Sequence, residues 1–194
     1  MKVLAIFDFD GTLIKGDSLW YFIAALHGRA RAVAMFAAAI AAAPFTRAFY
    51  ADVRTAIKQR WIHHALRGID ANEATLAAEI VRAGLRWKDP QVQALRRLAA
   101  HDATIIIATG ALDVYIHILL EGLPVNMVFC TAAERSAMGA LTGHISGTNA
   151  VRGAKADRIR DYAMAHGPFD KIIGYGNLPN DRAMLELCTE AHVI

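Results

Sequence analysis

The sequence predicts an α/β fold: a parallel sheet with crossover helices, interrupted near its start by an all-helical insertion. Three observations predict it. Short apolar runs of strand length recur along the chain, at 3–7, 103–108, 126–130, 171–176 and 192–194. Stretches of helical periodicity separate the later runs, which is the pattern of βαβ units whose strands are covered on both faces. Between the first run and the second, helical patterns follow one another from about residue 14 to 86 with no strand-like alternation. The chain therefore divides into an α/β core, 1–13 with 87–194, and a helical insertion, 14–86.

Taken in order, VLAIF (Val3 to Phe7) is the first buried strand. Asp17 or Ser18 is placed to cap a helix running to about Leu26, with Trp20, Phe22, Ile23 and Leu26 on its apolar side and Gly28 as its stop. Helical patterns continue through the Ala-rich ARAVAMFAAAIAAAPF, through FTRAFYADVRTAIKQRWIHHALRG and through DANEATLAAEIVRAGL. Asp89-Pro90 opens a further helix, with proline at the first helical position. ATIIIA is the second strand, NMVFC the third, KIIGYG the fourth, and HVI begins a fifth. Between the third and fourth, MGALTGHISG reads as a small hairpin or irregular excursion, followed by a helix from about Lys155 to His166. The chain stops inside the fifth strand, and a further C-terminal piece is expected.

Composition narrows the function. With 55% hydrophobic and 20% charged residues among 194, the chain is not disordered and has room for one sizeable domain with an insert. Its net charge of +3 comes from 21 basic and 18 acidic residues, with the arginines scattered. That leaves no nucleic-acid footprint, although an anionic substrate is welcome. Cys130 and Cys188 form neither a CxxC nor a disulfide framework, and the N-terminus lacks the pattern of a signal peptide, so a reducing, cytoplasmic setting is expected. The nearly uncharged segment 30–45, with Arg29 and Arg31 at its start and Arg47 after it, is too short at ~1.5 Å per residue to cross a ~30 Å hydrocarbon core. Two readings of it stay open: a buried helix of a small bundle, or an interfacial helix giving a peripheral membrane contact.

The end of the first strand poses the chemical question. In DFDGTL, strand alternation turns Asp8 and Asp10 toward the same side. Two carboxylates so close raise each other's pKa unless a cation or a shared proton relieves them. The plainer reading is a D-G turn, with Asp8 paired to a distant lysine. In open parallel sheets, ligands sit beyond the carboxyl ends of the strands. That rule gathers Asp8 and Asp10, Thr109 and Gly110, and Asn177 with Asp181 into one site, with Lys155 at the start of the helix leading to the fourth strand.

These residues, in this order, resemble the haloacid dehalogenase superfamily of phosphatases over nearly the whole chain. DFDGTL is similar to the first motif of that family, IIIATG to the second, GAKADRI to the third and GYGNLPNDRAML to the fourth. The helical segment directly after the first motif resembles the subfamily that contains phosphoserine phosphatase, in which it forms a mobile cap over a Rossmann-like sheet with helices on both faces. The resemblance implies a phosphomonoester substrate, Asp8 as the nucleophile that becomes an aspartyl phosphate, and Asp10 as the acid and then the base. It further implies Thr109, Gly110 and Lys155 as phosphoryl holders. Magnesium would be bound by Asp8, the backbone carbonyl of Asp10 and a ligand from the fourth motif. There the chain departs from the family, since Asn177 stands where an acid is usual. Its neutral carbonyl is expected to weaken magnesium binding, with Asp181 compensating through water or by orienting Lys155.

For the substrate, the insertion's opening GDSLWYFIAAL carries Trp20, Tyr21 and Phe22 rather than an acid placed to pair with an amino group. With the apolar character of the insertion, this resembles members acting on lipid-linked or amphiphilic phosphates. A soluble small-metabolite phosphatase and a catalytically impaired phosphate binder remain as alternatives. Met35, Trp20 and Trp61 are expected in the core of the insertion rather than against the substrate. The adjacent His63 and His64 diverge on their helix and form no ligand pair.

Overall fold

A computed structural model describes residues 1–46, 53–147, 151 and 153–194, for 43–46 and 54 the backbone alone. The helical reading of 47–52, with Arg47, lies outside the described residues. β1 (Val3–Phe7) is followed by α1 (Ser18–His27), α2 (Arg29–Thr46), α3 (Val53–Leu66) and α4 (Ala71–Gly84). Then come α5 (Asp89–Ala100), β2 (Thr104–Leu112), α6 (Asp113–Leu119), β3 (Met127–Arg135) and β4 (Leu141–Ser146). α7 (Gly153–His166), β5 (Lys171–Gly176), α8 (Arg182–Leu185) and β6 (Glu190–Val193) complete the chain.

The six strands form one sheet in the order β4-β3-β2-β1-β5-β6, parallel except for the β3–β4 hairpin. The chain winds outward from β1 through β2 and β3, then returns to the other side of β1 for β5. This reversal opens a crevice at the carboxyl ends of β1 and β5, where such sheets take their ligands. Alternation along β1 separates two packing layers. Val3, Ala5 and Phe7 face the insertion, α5 and α6, whereas Leu4 and Ile6 face Ile159 of α7 and Met184 and Leu185 of α8. Helices thus cover both faces, as the fully apolar strands require.

Two strands run further than their apolar runs indicate. β2 continues past Ala108 to Leu112 and β3 past Cys130 to Arg135, and their pairing slips register between Ala108 and Leu112. Thr109 and Gly110 occupy that irregularity, and the weak strand propensity of the glycine reads in sequence as a terminator. The MGALTGHISG excursion is the β3–β4 hairpin.

In the insertion, Asp17 caps α1 by accepting from Trp20 N at 3.1 Å, and Gly28 ends the helix with φ +81°. Asp70 and Glu73 form a capping box at the start of α4. The bundle-core reading of 30–45 does not hold along α2. Ala32 and Ala39 are buried there, but Val33 and Ile40 are 52% and 47% exposed, and most of the described alanines are also exposed. An alanine-rich helix has little side chain with which to bind neighbours on every face, and α2 leans on α1 and α3 with one side. No single described helix is long and apolar enough to cross a membrane.

The insertion packs on α6 through side chains of α1 and α4, with Phe22 4.7 Å from Tyr115 between ring centroids, and is tied by backbone hydrogen bonds at two places. Its entry and exit run side by side, with Lys15 N donating to Arg86 O and Lys88 N to Leu13 O, both at 2.8 Å. Farther along, Gly68 N donates to Leu141 O at 2.8 Å, and Leu141 N to Ile69 O at 2.9 Å, tying the end of α3 to β4. Gly143 takes φ +81° beneath His63, where a Cβ would lie 2.7 Å from the His63 carbonyl oxygen.

Candidate active site

Asp8, Asp10, Thr109, Gly110, Lys155, Asn177 and Asp181, brought from beyond the ends of β1 and β5, from the irregularity in β2 and from the first turn of α7, line one cavity of about 350 Å³. Asp8 directly follows β1, and its N–H donates to Tyr175 O at 2.9 Å, so the pairing of β1 with β5 carries through to this residue. Its buried carboxylate accepts from Lys155 Nζ at 2.8 Å through Oδ1 and from Thr12 Oγ1 at 3.1 Å through Oδ2. The same Nζ donates to Asp181 Oδ1 at 2.6 Å, while Asp181 Oδ2 accepts from Asn177 N at 2.8 Å. The distant lysine that pairs with Asp8 is therefore the lysine of the third motif.

This cluster sets one ammonium against two carboxylates, all nearly out of water. Burial raises the pKa of Asp8, Lys155 opposes it, and Asp181 adds to it. Burial also draws Lys155 down, but Asp8 and Asp181 more than offset that, and its ammonium is held above the usual lysine value. Asp10 is partly buried and accepts from Ser18 N at 2.6 Å at the head of α1. Burial first, then the Asp17 carboxylate and Asp8, raise its pKa to about 7 against the Ser18 N–H.

Asn177 closes the site from β5. Its Nδ2 donates to Asp10 O at 3.0 Å and stands 3.4 Å from Asp8 Oδ2 and 3.4 Å from Thr12 Oγ1. Gly11, with φ +75°, lets the turn pass under this side chain, since a Cβ there would lie 3.1 Å from Nδ2. Oxygens of Asp8 and Asp10 thus converge on one point beside an excess of negative charge, and turning the amide presents its own oxygen to the same point. Hard oxygen donors in this arrangement would suit a divalent cation such as magnesium, with the Asp8 carboxylate, the Asp10 carbonyl and, in the turned amide, Asn177 Oδ1 as the groups able to hold it. Asp181 stands behind them with both oxygens already engaged. Among the described residues no group of three or more His, Cys, Asp or Glu is arranged to hold a metal, so such an ion would rest on a single carboxylate, one backbone carbonyl and one amide.

Thr109 is buried at the β2 irregularity, and its Oγ1 accepts from Ala111 N at 3.1 Å. Gly110 O accepts from Thr131 Oγ1 at 3.3 Å and from Lys58 Nζ at 3.0 Å. Lys58 and Thr55, one turn apart on α3, line the cavity together with Asp17 and Asn180, and of these only Asn180 lies within a motif. Burial lowers the Lys58 pKa, against the attraction of Asp17 and Asp10. Asp17 also corrects the expectation that no acid lies early in the insertion near the site. It caps α1 and faces the cavity at once because the helix begins at the cavity's rim.

Residues 5–186 match the sequence profile of the haloacid dehalogenase-like hydrolases. No curated protein matches the chain. Among solved structures it is similar to a protein of unknown function from Bordetella pertussis Tohama I, with a TM-score of 0.80 and 20% identity over 100% of this chain and 90% of that one. It is also similar to a phosphoserine phosphatase in apo form, with a TM-score of 0.69 and 15% identity over 98% of this chain and 85% of that one. A phospho-aspartyl intermediate analogue of phosphoserine phosphatase gives a TM-score of 0.68 and 14% identity over 99% and 86%. At such identities these likenesses speak for the fold, while the profile spans nearly the whole sequence and takes in all four motifs. The chain belongs to the haloacid dehalogenase-like hydrolases.

Proposed function

We propose that the chain is a magnesium-dependent phosphomonoester hydrolase working through an aspartyl phosphate, with 14–86 as a helical cap on the core of 1–13 and 87–194. The observation that carries this reading is the pair Asp8 and Asp10 on one cavity in unlike environments: Asp8 is fixed by Lys155, while Asp10 accepts from Ser18 N and has a pKa raised to about 7. Two carboxylates held apart in this way suit one anion and one acid. An Asp8 oxygen attacks phosphorus as the bond to the leaving oxygen breaks, and Asp10 gives that oxygen its proton. Water then attacks phosphorus and passes a proton to Asp10 as the bond to Asp8 breaks. Lys155, Thr109 and the Gly110 amide steady the phosphoryl oxygens. Bound magnesium supplies charge neutralisation between the phosphoryl group and Asp8. The neighbour described as a phospho-aspartyl intermediate analogue supports the covalent route. The test is release of phosphate from p-nitrophenyl phosphate with and without magnesium. Activity is expected in wild type and absent in Asp8→Asn, and equal activity in the two proteins overturns the covalent mechanism.

The preferred substrate in this reading is amphiphilic or lipid-linked, met at a membrane surface from the cytoplasm. The exposed side of α2 supports it: Val33 and Ile40 stand out among exposed alanines, with Arg29 and Arg31 exposed at the helix start and no acid in the helix. Co-sedimentation with vesicles of anionic phospholipid checks the contact, and Val33→Glu with Ile40→Glu is expected to abolish it. One observation favours the second reading, a small polar metabolite. Asp17 and Lys58 bring a carboxylate and an ammonium to the same cavity, a pairing suited to a zwitterion such as phosphoserine.

A further inference from the structure

A second cavity of about 270 Å³ adjoins the first and shares Asp10, Asp17, Lys58 and Gly110 with it. Beyond those shared residues its walls are Leu19, Phe36, Ile57, Trp61, Ala111 and Tyr115. The wall is mostly apolar and aromatic. Trp61 packs on Phe36 at 5.0 Å and on Trp20 at 5.4 Å between ring centroids, and Tyr115 is fully buried with its hydroxyl accepting from Ser18 Oγ at 3.3 Å. Trp61 therefore belongs both to the core of the insertion and to a cavity beside the reacting carboxylates.

We infer that this second cavity is the subsite for the leaving group, and that it takes an apolar alcohol, an aryl or single-chain alkyl group. The inference rests on the phosphatase reading of the first cavity. Asp10, which protonates the leaving oxygen in that reading, stands on the boundary of the two spaces, so the carbon substituent on that oxygen points into the second. The charged groups there sit at the rim and already have partners: Asp17 Oδ1 caps Trp20 N, and Lys58 Nζ donates to Gly110 O. Past the rim no wall residue carries a charge. An ammonium or carboxylate drawn inside would lose water and find no opposite charge in return, only the Tyr115 hydroxyl and the Trp61 indole N–H among the walls, whereas a methylene or ring edge loses only its exposure to water. Size sets the upper bound. A cavity of about 150 Å³ holds benzene, so this one accepts a substituted ring or a short chain but not the two chains of a diacylglycerol.

The experiment is a series of methyl, n-propyl, n-hexyl and phenyl phosphate with phosphoserine, read as kcat/KM for each. The value is expected to rise about fourfold per methylene until the cavity fills, mostly through KM, with phosphoserine below hexyl phosphate. Ala111→Leu, which takes up cavity volume, is expected to flatten the slope of the series, and Ile57→Ala to carry the rise to longer chains. These slopes are independent of the overall rate of each variant. A flat series in wild type, or phosphoserine ahead of hexyl phosphate, overturns the subsite while leaving the phosphatase standing. If no ester is hydrolysed, the phosphatase reading fails and the subsite is judged by calorimetry with hexylphosphonate against methylphosphonate. Tighter hexylphosphonate binding by tenfold or more supports it, and equal binding overturns it.

Discussion

Lys155 Nζ lies 2.6 Å from Asp181 Oδ1, both side chains almost wholly buried, and the same nitrogen reaches Asp8. Removing one partner of a buried ion pair strands the other. Lys155→Met leaves two buried carboxylates without their cation and is expected to cost about 3–5 kcal/mol, a fall in Tm on the order of 10 °C for a chain of this size. Thermal unfolding of the two proteins measures it. A loss below about 1 kcal/mol would show that Lys155 is an exposed, solvated lysine in solution.

Asp10 links charge to stability with a definite sign. Its folded pKa of about 7 lies above the ordinary 3.8, so the folded chain holds this proton more tightly than the unfolded one. The resulting stability is complete below about pH 4 and is lost as pH rises through 7. Asp10→Asn cannot lose that proton, so it is expected to gain on wild type between pH 4 and 7, by a few kcal/mol at ~1.4 per unit. Denaturant unfolding in EDTA across that range reads the difference, and parallel pH curves would assign Asp10 an ordinary carboxyl.

Asn177→Asp replaces an N–H donor by a carboxylate 3.4 Å from Asp8 Oδ2. Without metal the new charge adds repulsion and is expected to lower Tm by several degrees, equivalent to about 1–2 kcal/mol. With magnesium the same carboxylate becomes a charged ligand. The variant is then expected to show the larger rise in Tm and a lower half-saturating magnesium concentration for activity, with turnover changed modestly in either direction. Identical magnesium responses would remove this side chain from the ligand set.

Lys58 is the cation that the insertion extends to the β2 irregularity. Lys58→Met deletes a charge-assisted bond to Gly110 O and is expected to cost about 1.5–3 kcal/mol of stability. It is also expected to raise KM for any phosphomonoester more than it lowers kcat. An unchanged KM beside lowered stability would confine Lys58 to holding the insertion in place.

The contrast between Lys58 and Lys155 shows what can be read from sequence. Asp8, Asp10, Asn177 and Asp181 follow strand ends, Thr109 and Gly110 follow the apolar run of β2 and Lys155 opens a helix, and the topology of a parallel sheet carries such positions to one edge without knowledge of packing. Lys58 lies in mid-helix. What aims it is the packing of Trp20, Phe36 and Trp61 between α1, α2 and α3, which leaves no mark in a local window. α2 misleads for the opposite reason, since its composition suggests burial although alanine gains too little from it to draw the helix inward. The extent of β2 was hidden by Thr109-Gly110, a dipeptide that reads as an ending and here is an irregularity within a continuing strand.

The two attachments of the insertion restrict how it is able to move. Backbone hydrogen bonds tie it at two places, and the line through them is the axis of a swing in which the side-chain contacts of α1 and α4 with α6 would have to part. The end of α3 lies against this axis, tied through Gly68 and Ile69 to Leu141, with His63 seated on Gly143. Lys58 is ten residues up the chain from Gly68, about 12 Å along the helix from Leu66 at ~1.5 Å per residue. In such a swing Gly143 keeps its neighbour while Lys58 draws an arc away from Gly110. An opening of the cavity by such a swing would release the Lys58 bond together with the contacts of Phe22 and Ser18 on Tyr115, so one loosened helix face would be felt at both the charged and the apolar side of the door.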